Sequence, residues 1–179
     1  MKATGIVRRI DDLGRVVIPK EIRRTFHIKE GDSLEIYTDS DGEVIFKKYS
    51  PMGELSSFAA QICDSLHRTT GASACICDRD NVIAAAGSSR RELMDKRISS
   101  DLEQVMNNRG VYLPEGRLSM PVCADSDEVC IAAAAPILSA GDVMGCVLFA
   151  DRRGAGPFGE TESKLAQTVA AFLGRQMEE

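Results

Sequence analysis

The run Tyr49-Ser50-Pro51-Met52-Gly53 constrains this chain most, because proline and glycine interrupt regular structure there and the sequence changes character across it. Ahead of the break, short apolar pieces alternate with turn residues. Behind it stand longer amphipathic and apolar runs. A length of 179 residues accommodates two small domains, each with its own pattern. The boundary is placed near residue 51: residues 1–50 form one domain, 51–55 a linker and 56–179 a second domain.

Charge divides at the same place. The whole chain carries a formal −5, which taken alone argues against a nucleic-acid partner, since phosphate contact needs local positive charge. Residues 1–50 hold 10 Lys+Arg against 9 Asp+Glu, and the remaining 129 residues hold 12 against 18. Within residues 1–30 the count is 8 basic to 4 acidic. The start of the chain is therefore a basic module on an acidic body.

No apolar run approaches the roughly 20 residues that span a bilayer. The start Met1-Lys2-Ala3-Thr4-Gly5 lacks the apolar stretch of a signal peptide. The chain is expected to stay in the cytoplasm with no membrane partner. Cys63, Cys75, Cys77, Cys123, Cys130 and Cys146 all lie behind the break; in a reducing compartment they are expected as buried apolar residues without disulfides. Cys75-x-Cys77 places two thiols on one strand face, but two thiols alone supply neither a four-coordinate metal site nor a CxxC motif. No metal and no cofactor is expected. The acidic stretch Asp125-Ser126-Asp127-Glu128 is read as a solvated loop in preference to a weak cation site.

The front segment reads as strands at Ile6-Val7, Asp12-Leu13-Gly14, Val16-Val17-Ile18, Ser33 to Thr38 and Val44 to Lys48. Asp41-Gly42 marks a hairpin between the last two, glycine accepting the positive φ of such turns. Pro19 suits the first turn of a short helix ending near His27, with Ile22 and Phe26 on one face and Arg23 and Arg24 pointing away from it. His27 is expected at the surface. About fifty residues of short strands bury little surface alone, so oligomerisation is expected. Two copies exchanging hairpins would complete one barrel and present two equivalent sets of arginines to a pseudo-symmetric duplex.

Behind the break, Leu55, Phe58, Ala59, Ile62, Cys63 and Leu66 follow helical spacing up to Thr69-Thr70-Gly71. Ala74 to Cys77 and Val82 to Ala86 read as paired strands. Ser100 with Glu103 has capping-box spacing for a helix through Ile98, Leu102, Val105 and Met106 that stops by Gly110. Val129 to Ile137 and Val143 to Ala150 read as an antiparallel pair joined across Ser139-Ala140-Gly141-Asp142. A last helix carries Leu165, Val169, Phe172, Leu173 and Met177 at helical spacing. The fold class is α+β with an antiparallel sheet.

The stretch Thr4-Gly5-Ile6-Val7-Arg8-Arg9-Ile10-Asp11-Asp12-Leu13-Gly14-Arg15-Val16-Val17-Ile18-Pro19 closely resembles the start of the AbrB family of swapped-hairpin transition-state regulators. The likeness continues through Glu21-Ile22-Arg23-Arg24-Thr25, Gly31 to Ile36 and Val44 to Tyr49. It departs at Phe26-His27-Ile28, where the helix-to-strand corner would pack differently. The resemblance implies an intertwined dimeric barrel that holds double-stranded DNA through Arg8, Arg15, Arg23 and Arg24, with Arg9 as a fifth contact. Guanidinium groups suit this work, since they hold phosphate oxygens bidentately or reach guanine edges. A lone arginine is more often an ordinary surface charge; the case rests on the cluster.

The whole length resembles the stage V sporulation protein T family, in which an AbrB-like front is joined to a rear domain. That rear domain, with Ala135-Pro136-Ile137, the Gly141-Asp142 turn and Gly145 to Phe149, is similar to a GAF domain. The resemblance implies a nucleoid-associated regulator of late sporulation genes, activating some and repressing others. It also implies a homotetramer formed through rear helices, and modulation by those contacts or by an unknown small molecule whose binding residues the sequence does not name. An enzyme is disfavoured: His27 and His67 are the only histidines, and no Ser/His/Asp set, P-loop or HExxH is present. The alternative is a toxin-neutralising antitoxin, since related swapped-hairpin modules serve in such pairs.

Overall fold

Proline has no N–H to leave unsatisfied and a fixed φ, so Pro19 at φ −58° caps α1 (Lys20–Thr25), with Glu21 in the first turn and Arg23 and Arg24 in the last, as the helix dipole favours. The computed structural model describes residues 4–50, 52, 55–156 and 158–178; they fall into two units, Met1–Tyr49 and Ser50–Glu179. In the first unit α1 ends on His27, which takes φ 52° while the Ile28 N–H donates to the Arg23 carbonyl at 2.8 Å. This is the reversed hydrogen-bonding of a Schellman end, with histidine where glycine is usual.

β1 (Leu34–Thr38) and β2 (Val44–Lys48) pair antiparallel, from Leu34 opposite Lys48 to Thr38 opposite Val44. The Asp39 carboxylate closes their loop by accepting the N–H of Asp41 (3.1 Å) and of Glu43 (3.0 Å), and Gly42 takes φ 81°. The earlier pieces differ from expectation. Ile6-Val7 and Val16-Val17-Ile18 belong to no strand, and Asp12 to Gly14 form a turn. A strand is defined by its ladder, and among the described residues none continues beyond the Asp11 N–H donating to the Arg15 carbonyl at 3.0 Å. No described residue of 4–50 is buried.

The second unit is a five-stranded antiparallel sheet in the order β4-β3-β7-β6-β5, built from β3 (Ser73–Cys77), β4 (Val82–Ala86), β5 (Pro121–Cys123), β6 (Ser126–Ser139) and β7 (Asp142–Arg152). Side chains alternate along the strands and so divide between two layers. Ala74, Ile76, Val147 and Phe149 face α2 (Ser56–Thr70) and α5 (Glu160–Gln176) in one core cluster. Cys75, Cys77, Cys146 and Leu148 face α3 (Arg90–Leu93) and α4 (Ser100–Asn107) in the other. α2 buries Ala59, Cys63 and Leu66 and stops at Gly71, φ 75°. α5 buries Ala166, Ala170 and Leu173. No helix of the described residues is long and apolar enough to cross a membrane.

Four expectations for this unit change. The cap of α4 is Ser99, whose Oγ accepts the Leu102 N–H at 3.0 Å and donates to the Pro121 carbonyl at 2.6 Å; Ser100 is the first helical residue. The acidic stretch is the turn and start of β6, with Asp125 on Lys96 (2.7 Å), Asp127 on Arg153 (3.4 Å) and Glu128 on Arg152 (3.3 Å). Met52, placed in the linker, is fully buried in the α2/α5 layer; the linker positions Pro51, Gly53 and Glu54 lie outside the described residues. Phe172 is 47% exposed, because α5 turns its small residues toward the sheet instead.

Candidate nucleic-acid interface

The residues Asp11 to Arg15 build a compact loop around one carboxylate. Asp11 Oδ1 accepts the Leu13 N–H at 3.0 Å and the Arg15 N–H at 2.8 Å, while Oδ2 meets Arg15 Nε at 2.8 Å. Gly14 makes the turn at φ 76°, where a Cβ would be strained, and its N–H donates to the Asp11 carbonyl at 3.0 Å. The Arg15 N–H, followed by its guanidinium, holds the Asp11 carboxyl below the usual aspartate range. Charge and geometry here are mutually fixed: the acid that orders the turn also aims the arginine. The Arg15 side chain still stands 70% exposed.

The other expected contacts are free. Arg8 and Arg9 precede the loop on the extended segment; Arg23 and Arg24 occupy consecutive positions of α1 and so diverge by about 100° around its axis. All four are exposed, and among the described residues none of their side chains has a hydrogen-bond or ion-pair partner. By contrast Lys48 is committed, meeting Asp32 at 3.0 Å and the His27 carbonyl at 3.3 Å. Asp11 is the residue of this loop that the sequence reading did not single out. Its signal was an aspartate two residues before a Leu-Gly and four before an arginine, an arrangement that closes a turn on its own backbone.

Beside these arginines the unit exposes apolar side chains that a solvated domain would cover: Val7 (88%), Val17 (72%), Ile10 (71%) and Leu13 (70%). The second unit shows no comparable cationic chemistry at its sulfurs. Cys75 and Cys77 are buried and their thiols are pushed well above the ordinary value; Cys146, opposite Cys77, is pushed up to about 12 by burial. They serve as packing. His67 Nδ1–H donates to the Ala72 carbonyl at 2.8 Å, tying the end of α2 to the strand that follows.

Residues 54–178 match the sequence family described as stage V sporulation protein T C-terminal, transcription factor. Residues 7–53 match the family described as antidote-toxin recognition MazE, bacterial antitoxin. The chain is 50% identical over 180 residues to stage V sporulation protein T of Bacillus subtilis (strain 168), covering 100% of each. It is 65% identical over 51 residues to the transition state regulatory protein AbrB of the same organism, covering 28% of this chain and 52% of that relative. The GAF domain of a phosphoenolpyruvate-protein phosphotransferase from Acinetobacter superposes with a TM-score of 0.52 at 12% identity, over 73% of this chain and 84% of that one. At that identity the likeness concerns fold alone: the second unit has the GAF arrangement of helices on an antiparallel sheet.

Proposed function

The chain belongs to the stage V sporulation protein T family of transcription factors, and from that premise we propose that Arg8, Arg9, Arg15, Arg23 and Arg24 hold double-stranded DNA. The protein then acts as a sequence-specific regulator of late sporulation genes, activating some and repressing others, in the cytoplasm and on the nucleoid. The observation that carries this reading is a first unit in which no described side chain is buried, the side chains of Arg8, Arg9, Arg23 and Arg24 are unpaired among the described residues, and Val7, Ile10, Leu13 and Val17 are exposed. A fifty-residue unit of that kind gains a core by intertwining with a second copy. Covering each such side chain contributes about 1.5–3 kcal/mol. The same step doubles the arginines and gives the dimer the two-fold symmetry of an operator.

The role of the second unit is to join two such dimers. Phe58 on α2 and Phe172 on α5 stand side by side at the surface, ring centroids 6.0 Å apart and tilted by 53°. An exposed aromatic pair on two adjacent helices supports helix-to-helix association into a tetramer. Modulation by an unknown small molecule is the second arm of the reading. A polar groove of about 370 Å³ lined by Arg97, Ser99, Ser100, Glu103 and Asp127 is the place to look for it.

The match of residues 7–53 to an antitoxin family favours a second reading, a DNA-binding partner of a toxin. Here, however, the module is followed by a folded five-stranded domain where a flexible toxin-binding tail would be expected. The deciding experiment is a titration of the full chain against duplex DNA at two salt concentrations, with mass from light scattering. Tight, salt-sensitive binding by a tetramer supports the regulator. Failure to bind any duplex above a non-specific level removes it and puts the antitoxin reading first.

A further inference from the structure

The sheet of the second unit is open along one piece of its rim. Arg109, in the left-handed region at φ 56°, turns the chain out of α4, and the residues after it run alongside β6 past the stretch that β5 covers. Tyr112 exchanges both main-chain hydrogen bonds with Ala134, donating to its carbonyl at 2.8 Å and accepting its N–H at 2.9 Å. Outward and inward residues alternate along such a segment, so the N–H and C=O groups of Val111 and Leu113 face away from the sheet. Among the described residues none of those groups has a partner. Burial alternates in step: Val111, Leu113 and Glu115 are exposed, while Tyr112 and Pro114 are half-buried.

The rim differs elsewhere. The Ser99 N–H donates to the Val122 carbonyl at 2.9 Å and the Ala124 N–H to the Arg97 carbonyl at 2.9 Å, so residues 97–99 cover β5. At the opposite edge the Val82 N–H donates to the Lys96 carbonyl at 2.8 Å, and β4 presents no exposed side chain. Leu138, an exposed apolar residue of β6, has its carbonyl oxygen 2.1 Å from where a Cβ on Gly174 would stand, so α5 lies against the backbone there.

The open segment is complementary to a second copy of itself. Set antiparallel about a two-fold axis at Tyr112, two copies place each Val111 opposite the other's Leu113, the pair exchanging both of its outward hydrogen bonds. Gly110, without a side chain, then faces Pro114. Proline guards an exposed edge when it removes an outward N–H; Pro114 shares the inward phase of Tyr112 and removes none. The ends match in charge, because Arg109 comes opposite Glu115. Both are exposed, and among the described residues neither side chain has a partner. Opposite charges facing across two strands stabilise the pairing and like charges oppose it. The parallel arrangement would set Arg109 against Arg109 and Glu115 against Glu115.

We propose that residues 110–114 are a self-association edge, through which the second units of two separate assemblies pair strand to strand, with Arg109 and Glu115 fixing the register. A ladder this short belongs with weak, transient interfaces. It joins assemblies where they are already concentrated and leaves the dilute species unchanged. The inference depends on neither the DNA-binding reading nor the α2/α5 association, since it uses none of the first-unit arginines and neither Phe58 nor Phe172.

The test follows mass by light scattering over a concentration series for the full chain, for R109E, for E115R and for an equal mixture of the two variants. The parent's mass is expected to rise above its dilute value. Each single variant sets like charges against each other at both ends of the ladder and should associate about tenfold more weakly or worse. For E115R, general charge predicts the reverse, because the substitution makes an acidic chain less acidic. The mixture brings opposite charges together again at both ends and should recover most of the parent's association. Hydrogen exchange at the Val111 and Leu113 amides should slow as the parent is concentrated, and circular dichroism should show the variants folded as the parent is. A parent whose mass does not rise, single variants that associate as the parent does, or a mixture no better than its components overturns the proposal. Protection of the two amides by an added extended peptide, with no dependence on protein concentration, overturns it in favour of a peptide partner.

Discussion

Asp11 and Arg15 close one loop from both ends: the Arg15 backbone N–H reaches Asp11 Oδ1 at 2.8 Å and its guanidinium Nε reaches Oδ2 at the same distance. An acid thus sits within the patch proposed to meet DNA, where simple electrostatics would exclude it. Two explanations give opposite signs. If Asp11 were only a surface charge, removing it would raise DNA affinity. If it positions Arg15, Asp11→Ala lowers affinity several-fold although the protein becomes more positive. We expect the loss, measured by DNA titration at constant salt. Higher affinity would show that Arg15 needs no positioning.

The same carboxylate carries a pH signature. Its pKa is lowered in the folded chain, first by the Arg15 N–H and then by the Arg15 side chain. A group with a depressed folded-state pKa stabilises the loop above its unfolded-state value and loses that contribution as pH falls through the folded-state one. The ordinary value is 3.8, so the Asp11 loop is expected to stay closed at neutral pH and to open only below it. Amide chemical shifts of Leu13 and Arg15 followed from pH 6 to 2 should move with a midpoint below that value. A midpoint above it would contradict the ion pair.

Arg15→Ala and the double substitution Arg23→Ala, Arg24→Ala should each weaken DNA binding by about tenfold or more while leaving the circular dichroism spectrum unchanged. Contacts to phosphate lower the salt slope by about 0.9 each, whereas contacts to base edges cost about 1–3 kcal/mol of discrimination against the wrong base. Comparing specific and random duplexes therefore shows whether Arg15, and whether the Arg23–Arg24 pair, grips the backbone or reads bases. Unchanged affinity in both variants would remove the first-unit assignment.

Much of the second unit was legible because its pairing partners lie in the same chain. Val143 to Ala150 finds Val129 to Ile137 across Ala140-Gly141, whose φ values of 47° and 87° make the hairpin turn that the glycine announced. The first unit was legible in part: α1 and the β1–β2 hairpin stand where the sequence placed them, whereas Ile6-Val7 and Val16 to Ile18 have strand residues without a ladder, since periodicity names the face to be covered and not what covers it. The same gap explains Phe172, which shares the apolar spacing of α5 but stands outside the core, while Ala166 and Ala170 occupy it. Ser99 was mistaken for its neighbour because adjacent serines offer the same chemistry and only the backbone decides which one caps.

Phe172→Glu tests what covers that face. The substitution puts a charge beside Phe58 at a surface position, so the fold of the second unit should survive. Association through the helices should not, because an unpaired charge in an apolar contact costs several kcal/mol. Light scattering is expected to report a dimer in place of a tetramer. A tetramer that persists in the variant would place the association elsewhere.

Glycine 145 supplies a test of the sheet itself. A Cβ there would lie 2.0 Å from the Cys77 carbonyl oxygen and 3.2 Å from Asp78 Cα, both backbone atoms that cannot swing aside. β3 and β7 are central strands, paired through Cys77 opposite Cys146, so any shift at Gly145 propagates into the layer holding Cys75, Cys77, Cys146 and Leu148. Gly145→Ala is expected to destabilise by at least the 1–3 kcal/mol typical of overpacking. It should also expose thiols that are otherwise inert. In the parent chain all six cysteines are buried, and those of Cys63 and Cys146 are pushed up to about 12, leaving almost no thiolate at pH 8. Labelling with a thiol-specific reagent should therefore proceed slowly in the parent and at the rate of unfolding, and markedly faster in the variant. Equal labelling rates with unchanged thermal midpoints would mean that the β3–β7 contact yields where the structure gives it no room to do so.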